Sequence, residues 1–182
     1  FSGINNGKIT CISCWSTGDI SDYAGSGGIT GSGVVNATIQ NCYSTGVISG
    51  ERAGGIVGDG GDNVIVSNCY STGNITGFSS GGIVGAYGNN VTIMNCYSTG
   101  HVIDVTYPGS NHSNGAICGF HNAVNNISIA HCYSCGMVDN NGYFNGKDTN
   151  NYSVNVSNSY SEALSDAPGG TWNTAHANLV LT

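Results

Sequence analysis

The feature that most constrains the fold of this chain is an internal repeat with a step of about 27 residues, a length typical of repeat architectures. One phrase, Cys-aromatic-Ser-Thr-Gly or a close variant, recurs along the chain. Its copies begin at Cys14, Cys42, Cys69, Cys96 and Cys132, and a divergent copy begins at Ser159. The steps between successive copies are 28, 27, 27, 36 and 27 residues. A nearly fixed step indicates that each copy is one unit stacked on the next.

A second phrase, Gly-Gly-Ile-x-Gly, precedes copies of the first one. It begins at Gly27, Gly54 and Gly81, and weaker versions begin at Gly115 and Gly142. The long step from Cys96 to Cys132 carries its extra residues mainly between positions 104 and 114. This position predicts a loop that lies outside the repeating unit.

The residues within each repeat favour β-structure. Frequent Gly among alternating Val, Ile and Thr disfavours helices. The chain has only three Leu residues, too few for leucine-rich repeats, and propeller blades need about 40–45 residues. We therefore expect an all-β fold, a right-handed parallel β-helix (β-solenoid) of about six coils with about 27 residues per coil. The solenoid is expected to cover residues 1–161, and residues 162–182 to form a C-terminal cap or docking segment.

Alternation along each strand predicts which side chains face the core. Ile56, Ile83 and six pairs are expected to be buried: Ile9/Cys11, Ala37/Ile39, Val64/Val66, Val91/Ile93, Ile127/Ile129 and Val154/Val156. A polar residue follows each pair and predicts a hydrogen-bonded corner ladder of Ser13, Asn41, Asn68, Asn95, His131 and Asn158. Most of the cysteines that begin the phrase are expected inside as unpaired thiols. Any disulfide would use Cys11, Cys118 or Cys135.

Together the two phrases resemble the GLUG repeat. That family's pattern runs Gly-Gly-Leu-Val-Gly, then an extended segment, then Asn-Ser-Tyr-Ala-Thr-Gly, and residues 54–58 and 68–73 are similar to it. The resemblance covers about residues 1–161, with Cys in place of Ser. It implies a β-solenoid of large surface proteins and adhesins of bacteria, giant viruses and protists, or of secreted peptidases outside their catalytic part. It supplies no catalytic residues.

The candidate binding residues are the aromatic column within the first phrase. Its members are Trp15, Tyr43, Tyr70, Tyr97, Tyr133 and Tyr160. Alternation places them outward, in a stripe with rungs about 4.8 Å apart. Exposed aromatic stripes bind protein partners or the faces of sugars. The alternative interpretation is that the stacked rings stabilise the sheet.

The residues that suit catalysis or metal binding are scattered along the chain. Cys11-x-x-Cys14 and Cys132-x-x-Cys135 match half of a zinc or redox motif. A ladder spreads sulfur atoms along an axis, however, whereas a zinc site needs four ligands at one point. We therefore expect no catalytic residues, no metal and no cofactor.

Three further groups of polar residues have ordinary interpretations. Asp59 and Asp62 are interpreted as turn residues rather than a calcium loop, and Glu51 with Arg52 as a lone solvated ion pair. A polysaccharide-acting enzyme would need acids and bases at the break in the repeat. The break holds Asp104, Tyr107 and His112.

Charge restricts the partners of the chain. Three Lys and Arg residues face ten Asp and Glu residues, for a net charge of −7. Nucleic acids and anionic membranes are therefore not expected partners, and no apolar run is long enough to span a bilayer. Seven glycosylation sequons permit a glycoprotein of extracellular, cell-surface or virion-surface location: Asn36, Asn74, Asn90, Asn111, Asn126, Asn151 and Asn155.

The functional hypothesis is a non-catalytic structural or adhesive module, a subunit of an extracellular surface fibre. Solenoid ends carry unpaired strand edges, so copies of the chain can join head to tail. The expected assembly residues are Leu164, Trp172, Leu179, Val180 and Leu181. The alternative is a carbohydrate-binding or carbohydrate-acting β-helix protein, with surface glycans as partners. Ice binding through Thr17, Thr45, Thr72 and Thr99 is disfavoured, because Tyr side chains flank that column.

Overall fold

The computed structural model describes residues 8–59, 61–86, 88–105, 114–119, 126–139, 143–145, 154–157 and 159–161. The regular elements of these residues are strands. In chain order they are β1 Ile9–Ile12, β2 Trp15–Ser16, β3 Ile20–Ala24, β4 Val35–Gln40, β5 Tyr43–Ser44, β6 Ile48–Glu51, β7 Asp62–Ser67, β8 Tyr70–Ser71, β9 Ile75–Thr76, β10 Asn89–Met94, β11 Tyr97–Ser98, β12 Val102–Ile103, β13 Gly115–Cys118, β14 Ile127–Ala130, β15 Tyr133–Ser134, β16 Tyr143–Asn145, β17 Val154–Ser157 and β18 Tyr160–Ser161. Over the described ranges, no helix could cross a membrane.

Parallel sheets follow the length of one solenoid. The valine–isoleucine face has the strand order β1-β4-β7-β10-β14-β17, and the tyrosine face has the order β2-β5-β8-β11-β15-β18. The third face has the order β3-β6-β9-β12, and β13 pairs with β16. Neighbouring strands come from consecutive repeats, so the chain winds once per repeat. For reference, we label the sequence repeats in chain order by their first strands, β1, β4, β7, β10, β14 and β17, and use the word coil for each labelled repeat.

The all-β, parallel solenoid class is confirmed. The described residues support a solenoid of about three turns. The count of six coils and their right-handed sense stay predictions.

The core follows the predicted alternation. Val64 pairs in register with Ala37 and Val91, and Val66 pairs with Ile39 and Ile93. These side chains are buried, as are Ile127, Ile129, Ile56 and Ile83, so the prediction is confirmed for them. In the first coil, Ile9 and Cys11 are only partly buried. The side chains of Val154 and Val156 lie outside the described part of the structure.

Among the described residues, a left-handed backbone residue builds the corner between the first two faces in each of the first five repeats. Ser13, Asn41, Asn68, Asn95 and His131 have φ between 53° and 55°, a region that Asn tolerates better than most residues. The Nδ2 of Asn68 donates to the Oδ1 of Asn41 at 3.2 Å, and Asn95 donates to Asn68 at 3.1 Å. The predicted hydrogen-bonded ladder is confirmed for Asn41, Asn68 and Asn95. Asn158 lies outside the described residues.

A second asparagine column escaped the sequence analysis. Asn36, Asn63 and Asn90 lie within the valine–isoleucine strands, with φ between 50° and 54°. Asn63 donates to Asn36 at 3.2 Å, and Asn126 donates to Asn90 at the same distance. From the sequence, Asn36, Asn90 and Asn126 are interpreted only as sequons, although the spacing of the column matches that of the repeat.

The second glycine of the Gly-Gly-Ile phrase makes room for a serine of the tyrosine face at Gly28, Gly55 and Gly82. A Cβ on Gly55 would overlap Ser71 and the carbonyl of Gly82, and a Cβ on Gly82 would overlap Ser98. A side chain at these positions would therefore force two coils apart. The close packing leaves Ser44, Ser71 and Ser98 fully buried, and their hydroxyls have no hydrogen-bond partner among the described residues.

We expect Ser71→Ala to stabilise the fold. A buried hydroxyl without a partner carries a desolvation cost of about 1–3 kcal/mol, and Ala removes the hydroxyl while keeping the Cβ. The gain should be about 1 kcal/mol in the free energy of unfolding, measured by urea denaturation. Ser80→Ala is the control and should destabilise, because the Oγ of Ser80 accepts from the N–H of Ala53 at 3.1 Å. A loss of stability in Ser71→Ala would show that its hydroxyl is hydrogen-bonded.

Candidate binding surface on the tyrosine face

Three columns of outward side chains run along the tyrosine face. The second coil shows the arrangement. Cys42 and Ser44 point inward and are buried, while Tyr43 and Thr45 point outward. The corner asparagines form the first column and the aromatic residues the second. The exposed residues of the third are Thr17, Thr45, Thr72 and Thr99.

The aromatic column is a ring stack from Trp15 to Tyr97. The ring centroids of Tyr43 and Tyr70 lie 4.9 Å apart with an interplanar angle of 2°, and Tyr70 and Tyr97 lie 4.8 Å apart at 2°. Stacking covers the faces of Tyr43 and Tyr70 on both sides, so these residues present ring edges and hydroxyls to solvent. Such pairs stabilise a sheet beyond the area they bury. Partial burial, and then the neighbouring Tyr70, raises the pKa of Tyr97 above the ordinary value of a phenol.

The two ends of the aromatic column differ. Trp15 lies 6.3 Å from Tyr43 at 11° and is 65% exposed. Among the described residues, only Tyr43 stacks on its ring. Tyr133 pairs in register with Tyr97 and with Tyr160, whose side chain is outside the described part. The structure therefore places the predicted aromatic residues in one column but offers a free ring face at Trp15.

Most of the cysteine column forms part of the core. Cys42, Cys69, Cys96 and Cys132 are buried free thiols, as predicted for most of the column, and the other four cysteines are also free. Hydrogen bonds with Cys132 and Cys69, together with burial, raise the pKa of Cys96. Cys14 is the exception in the column, and it is exposed because no described coil packs on that side of the first coil.

Each inward thiol occupies the place of a hydroxyl. The Sγ of Cys69 donates to the carbonyl of Ser67 at 3.1 Å and accepts from the N–H of Cys42 at 3.4 Å. In the last copy, the Oγ of Ser159 donates to Ser157 at 2.9 Å and accepts from the N–H of Cys132 at 3.0 Å. The same two bonds explain why either Cys or Ser fits this column.

We expect the fold to lose stability between pH 9 and pH 12. Burial raises the pKa of Cys118 from 9.0 to about 12, and burial also raises that of Cys42 to about 11. A raised folded-state pKa means that the stabilisation is fully present below pH 9 and is lost as pH rises through the folded value. At Cys118 the difference between the two pKa values corresponds to about 4 kcal/mol.

Unfolding free energies of Cys118→Val, measured by denaturant titration at pH 8 and pH 12, isolate this contribution. Val84 pairs with Cys118, and Val57 with Val84, so valine fits the column. The variant should lose less stability than the parent chain over this interval. Equal losses would contradict the assignment to Cys118.

The charged residues form a different contact from the one expected. Arg52 lies 3.7 Å from Glu51, as predicted, but it also lies 3.1 Å from the Oδ2 of Asp59, so the pair with Glu51 is not a lone one. Burial raises the pKa of Asp59, and Arg52 opposes that shift. The pair links the corner of the second coil to the turn before the third. Among the described residues, no three His, Cys, Asp or Glu side chains are grouped as metal ligands.

Several predicted positions cannot be placed. Tyr107 and His112 of the inserted loop, the sequons Asn111 and Asn151, and the side chain of Asn155 lie outside the described part. So do the expected assembly residues, which are Leu164, Trp172, Leu179, Val180 and Leu181. Among the other sequons, Asn36, Asn90 and Asn126 are exposed, and the Oδ1 of Asn74 accepts from the N–H of His101 at 3.0 Å.

Comparisons with protein-family models, with curated proteins and with solved structures gave no match. The family resemblance therefore depends on the two repeated phrases.

Proposed function

We propose that this chain is a non-catalytic structural or adhesive module of an extracellular surface fibre, built from six right-handed coils that each hold one copy of the repeat. The observation that carries the proposal is the tyrosine face, where three side-chain columns repeat similar groups from coil to coil. Such a surface offers one weak contact per coil, and linked weak contacts add up to strong attachment. It suits an extended, repetitive partner, such as a surface polymer or another solenoid.

The first coil supports head-to-tail assembly. Its strands β1, β2 and β3 each lie at the end of a sheet. Ile20 and Ile29 of this coil are only partly buried, whereas the corresponding Ile48 and Ile56 of the second coil are fully buried. Another coil of the same repeat would complete both the strand pairing and the core, and a second copy of the chain can supply it. A contact of this type does not close and gives a filament.

Electron microscopy and sedimentation at rising concentration test the assembly. Filaments are expected for the full chain, and soluble monomers with an unchanged β-sheet circular dichroism spectrum after deletion of residues 172–182. A full chain that stays monomeric at high concentration would contradict the fibre. Loss of β-structure in the truncated chain would show that this segment is a cap.

Carbohydrate binding is the second candidate, and the exposed ring of Trp15 favours it. Sugars stack on an open aromatic face, and Trp15 offers one that Tyr70 does not. Retention on an insoluble polysaccharide, such as cellulose or chitin, should then fall for Trp15→Ala and stay unchanged for Tyr70→Ala. Equal retention of the parent chain and both variants would exclude sugar stacking at Trp15.

A further inference from the structure

The first coil carries a pair of cysteines that has no counterpart in the next three coils. Cys11 occupies the inward position that Ile39, Val66 and Ile93 fill in those coils. Cys14 begins the cysteine column three residues later. Cys14 is the exposed member of the cysteine column, and its coil is the one that has a cysteine, Cys11, at the inward position three residues before the column.

The corner backbone turns both thiols toward the same side. In a regular strand, residues three apart point to opposite faces. The left-handed Ser13, with φ 55°, breaks that alternation, as Asn41 does between the buried Ile39 and Cys42. Cys11 and Cys14 consequently lie on the same side of the corner, and the Sγ of Cys14 donates to the carbonyl of Ile12, between them, at 3.5 Å.

A third sulfur lies against the pair from the second coil. The N–H of Cys14 donates to the Sγ of Cys42 at 3.4 Å, and that Sγ reaches the carbonyl of Cys11 at 3.6 Å. Because Cys42 is fully buried, it holds the backbone of the pair in place without being open to reagents.

The same spacing elsewhere in the chain does not produce the same arrangement. Cys132 and Cys135 are also three residues apart, but the regular strand β15 separates them. Cys132 is buried in the core, whereas Cys135 stands in the outward threonine column and is half-buried. Cys132 and Cys135 therefore serve as an internal control, because they have the same spacing as Cys11 and Cys14 but lie on opposite sides of the sheet.

We propose that Cys11 and Cys14 form a redox-active dithiol that a small disulfide of the glutathione class oxidises to an intrachain disulfide. The thiolate of Cys14 attacks the reagent RSSR, forms a mixed disulfide and releases one RS⁻, which takes up the proton from Cys14. The thiolate of Cys11 then attacks the Sγ of Cys14, displaces the second RS⁻ and leaves it its proton. In sum, the protein loses two hydrogen atoms and RSSR becomes two RSH.

The order of attack follows from the surroundings of the two thiols. Cys14 is exposed and Cys11 is half-buried, so the reagent reaches Cys14 first. Burial, followed by the neighbouring Cys14, raises the pKa of Cys11, which makes it the slower thiol and suits it to the resolving step. The proposal does not depend on the proposed fibre.

Oxidised glutathione applied to the full chain tests the proposal, at a concentration where sedimentation shows monomers. Peptide mass mapping should show the loss of two hydrogen atoms across Cys11 and Cys14, reversed by a reducing agent. Cys132 and Cys135 should form no disulfide with each other. A stable glutathione adduct on Cys14 with Cys11 still free, or no reaction at either residue, would overturn the proposal.

A variant separates the two steps. Cys11→Ile restores the residue found at this position in coils two and four and should keep the fold. It should stop at one glutathione on Cys14, while the parent chain carries none after resolution. If parent and variant accumulate the same adduct, Cys11 does not resolve the mixed disulfide.

Discussion

Gly73→Ala should lower the free energy of unfolding by at least about 4 kcal/mol, the range of the most damaging single substitutions. A Cβ on Gly73 would overlap the carbonyl group of Gly46 in the coil before it. That backbone cannot retreat without breaking the adjacent pairing, in which the N–H of Thr72 donates to Ser44 at 3.0 Å. Thermal unfolding followed by circular dichroism should show a melting temperature at least about 10 °C lower.

The matched control occupies the same place in the repeat phrase. Gly18 ends the first copy as Gly73 ends the third, but a Cβ on Gly18 would meet no atom within 4 Å. Gly18→Ala should therefore change stability by less than about 1 kcal/mol. Equal melting temperatures for the two variants would mean that the coils stack less closely than these contacts require.

Asn114→Leu should cost about 3 kcal/mol or more, because it leaves two buried backbone groups without partners. The side chain of Asn114 is fully buried. Its Oδ1 accepts from the N–H of Ser80 at 2.8 Å, and its Nδ2 donates to the carbonyl of Gly77 at 3.0 Å. Leucine fills the volume but offers neither bond. Urea denaturation measures the loss directly.

Two variants serve as controls for Asn114→Leu. Asn126→Ala removes an exposed amide that donates to Asn90 at 3.2 Å, and it should cost less than about 1 kcal/mol. Asn114→Ser should fall between them, since Ser80 performs the same task one coil earlier by accepting from Ala53. If Asn114→Leu unfolds at the same urea concentration as Asn126→Ala, the buried amide is not what fixes the end of the loop.

The parts of the fold that repeat from coil to coil could be predicted from the sequence. Alternation alone placed Val64 and Val66 inside and Tyr70 outside, because a strand has only two faces. The column of Asn41, Asn68 and Asn95 was predictable because a single type of residue recurs at the repeat step. For the candidate surface, the members of the aromatic column were predictable, but whether they present ring faces or ring edges was not.

Contacts that depend on the cross-section of a coil could not be predicted. The approach of Gly55 to Ser71 recurs in neighbouring repeats, but the repeat step does not show which two segments of a coil face each other across its interior. The ion pair of Arg52 with Asp59 occurs once and carries no periodic signal. The exposure of Cys14 was missed for another reason. A column predicts the same environment for every member, whereas an end coil has a neighbour on one side only.

The register of the sheets is independent of the length of chain between two coils. Tyr70 pairs with Tyr97, and Tyr97 pairs with Tyr133 across a longer connection, yet both pairs belong to one uninterrupted sheet. The entropy of closing such a detour grows only with the logarithm of its length, about 0.6 kcal/mol for each doubling. A peptide inserted between Val105 and Asn114 should therefore leave the pairing of Tyr97 with Tyr133 unchanged.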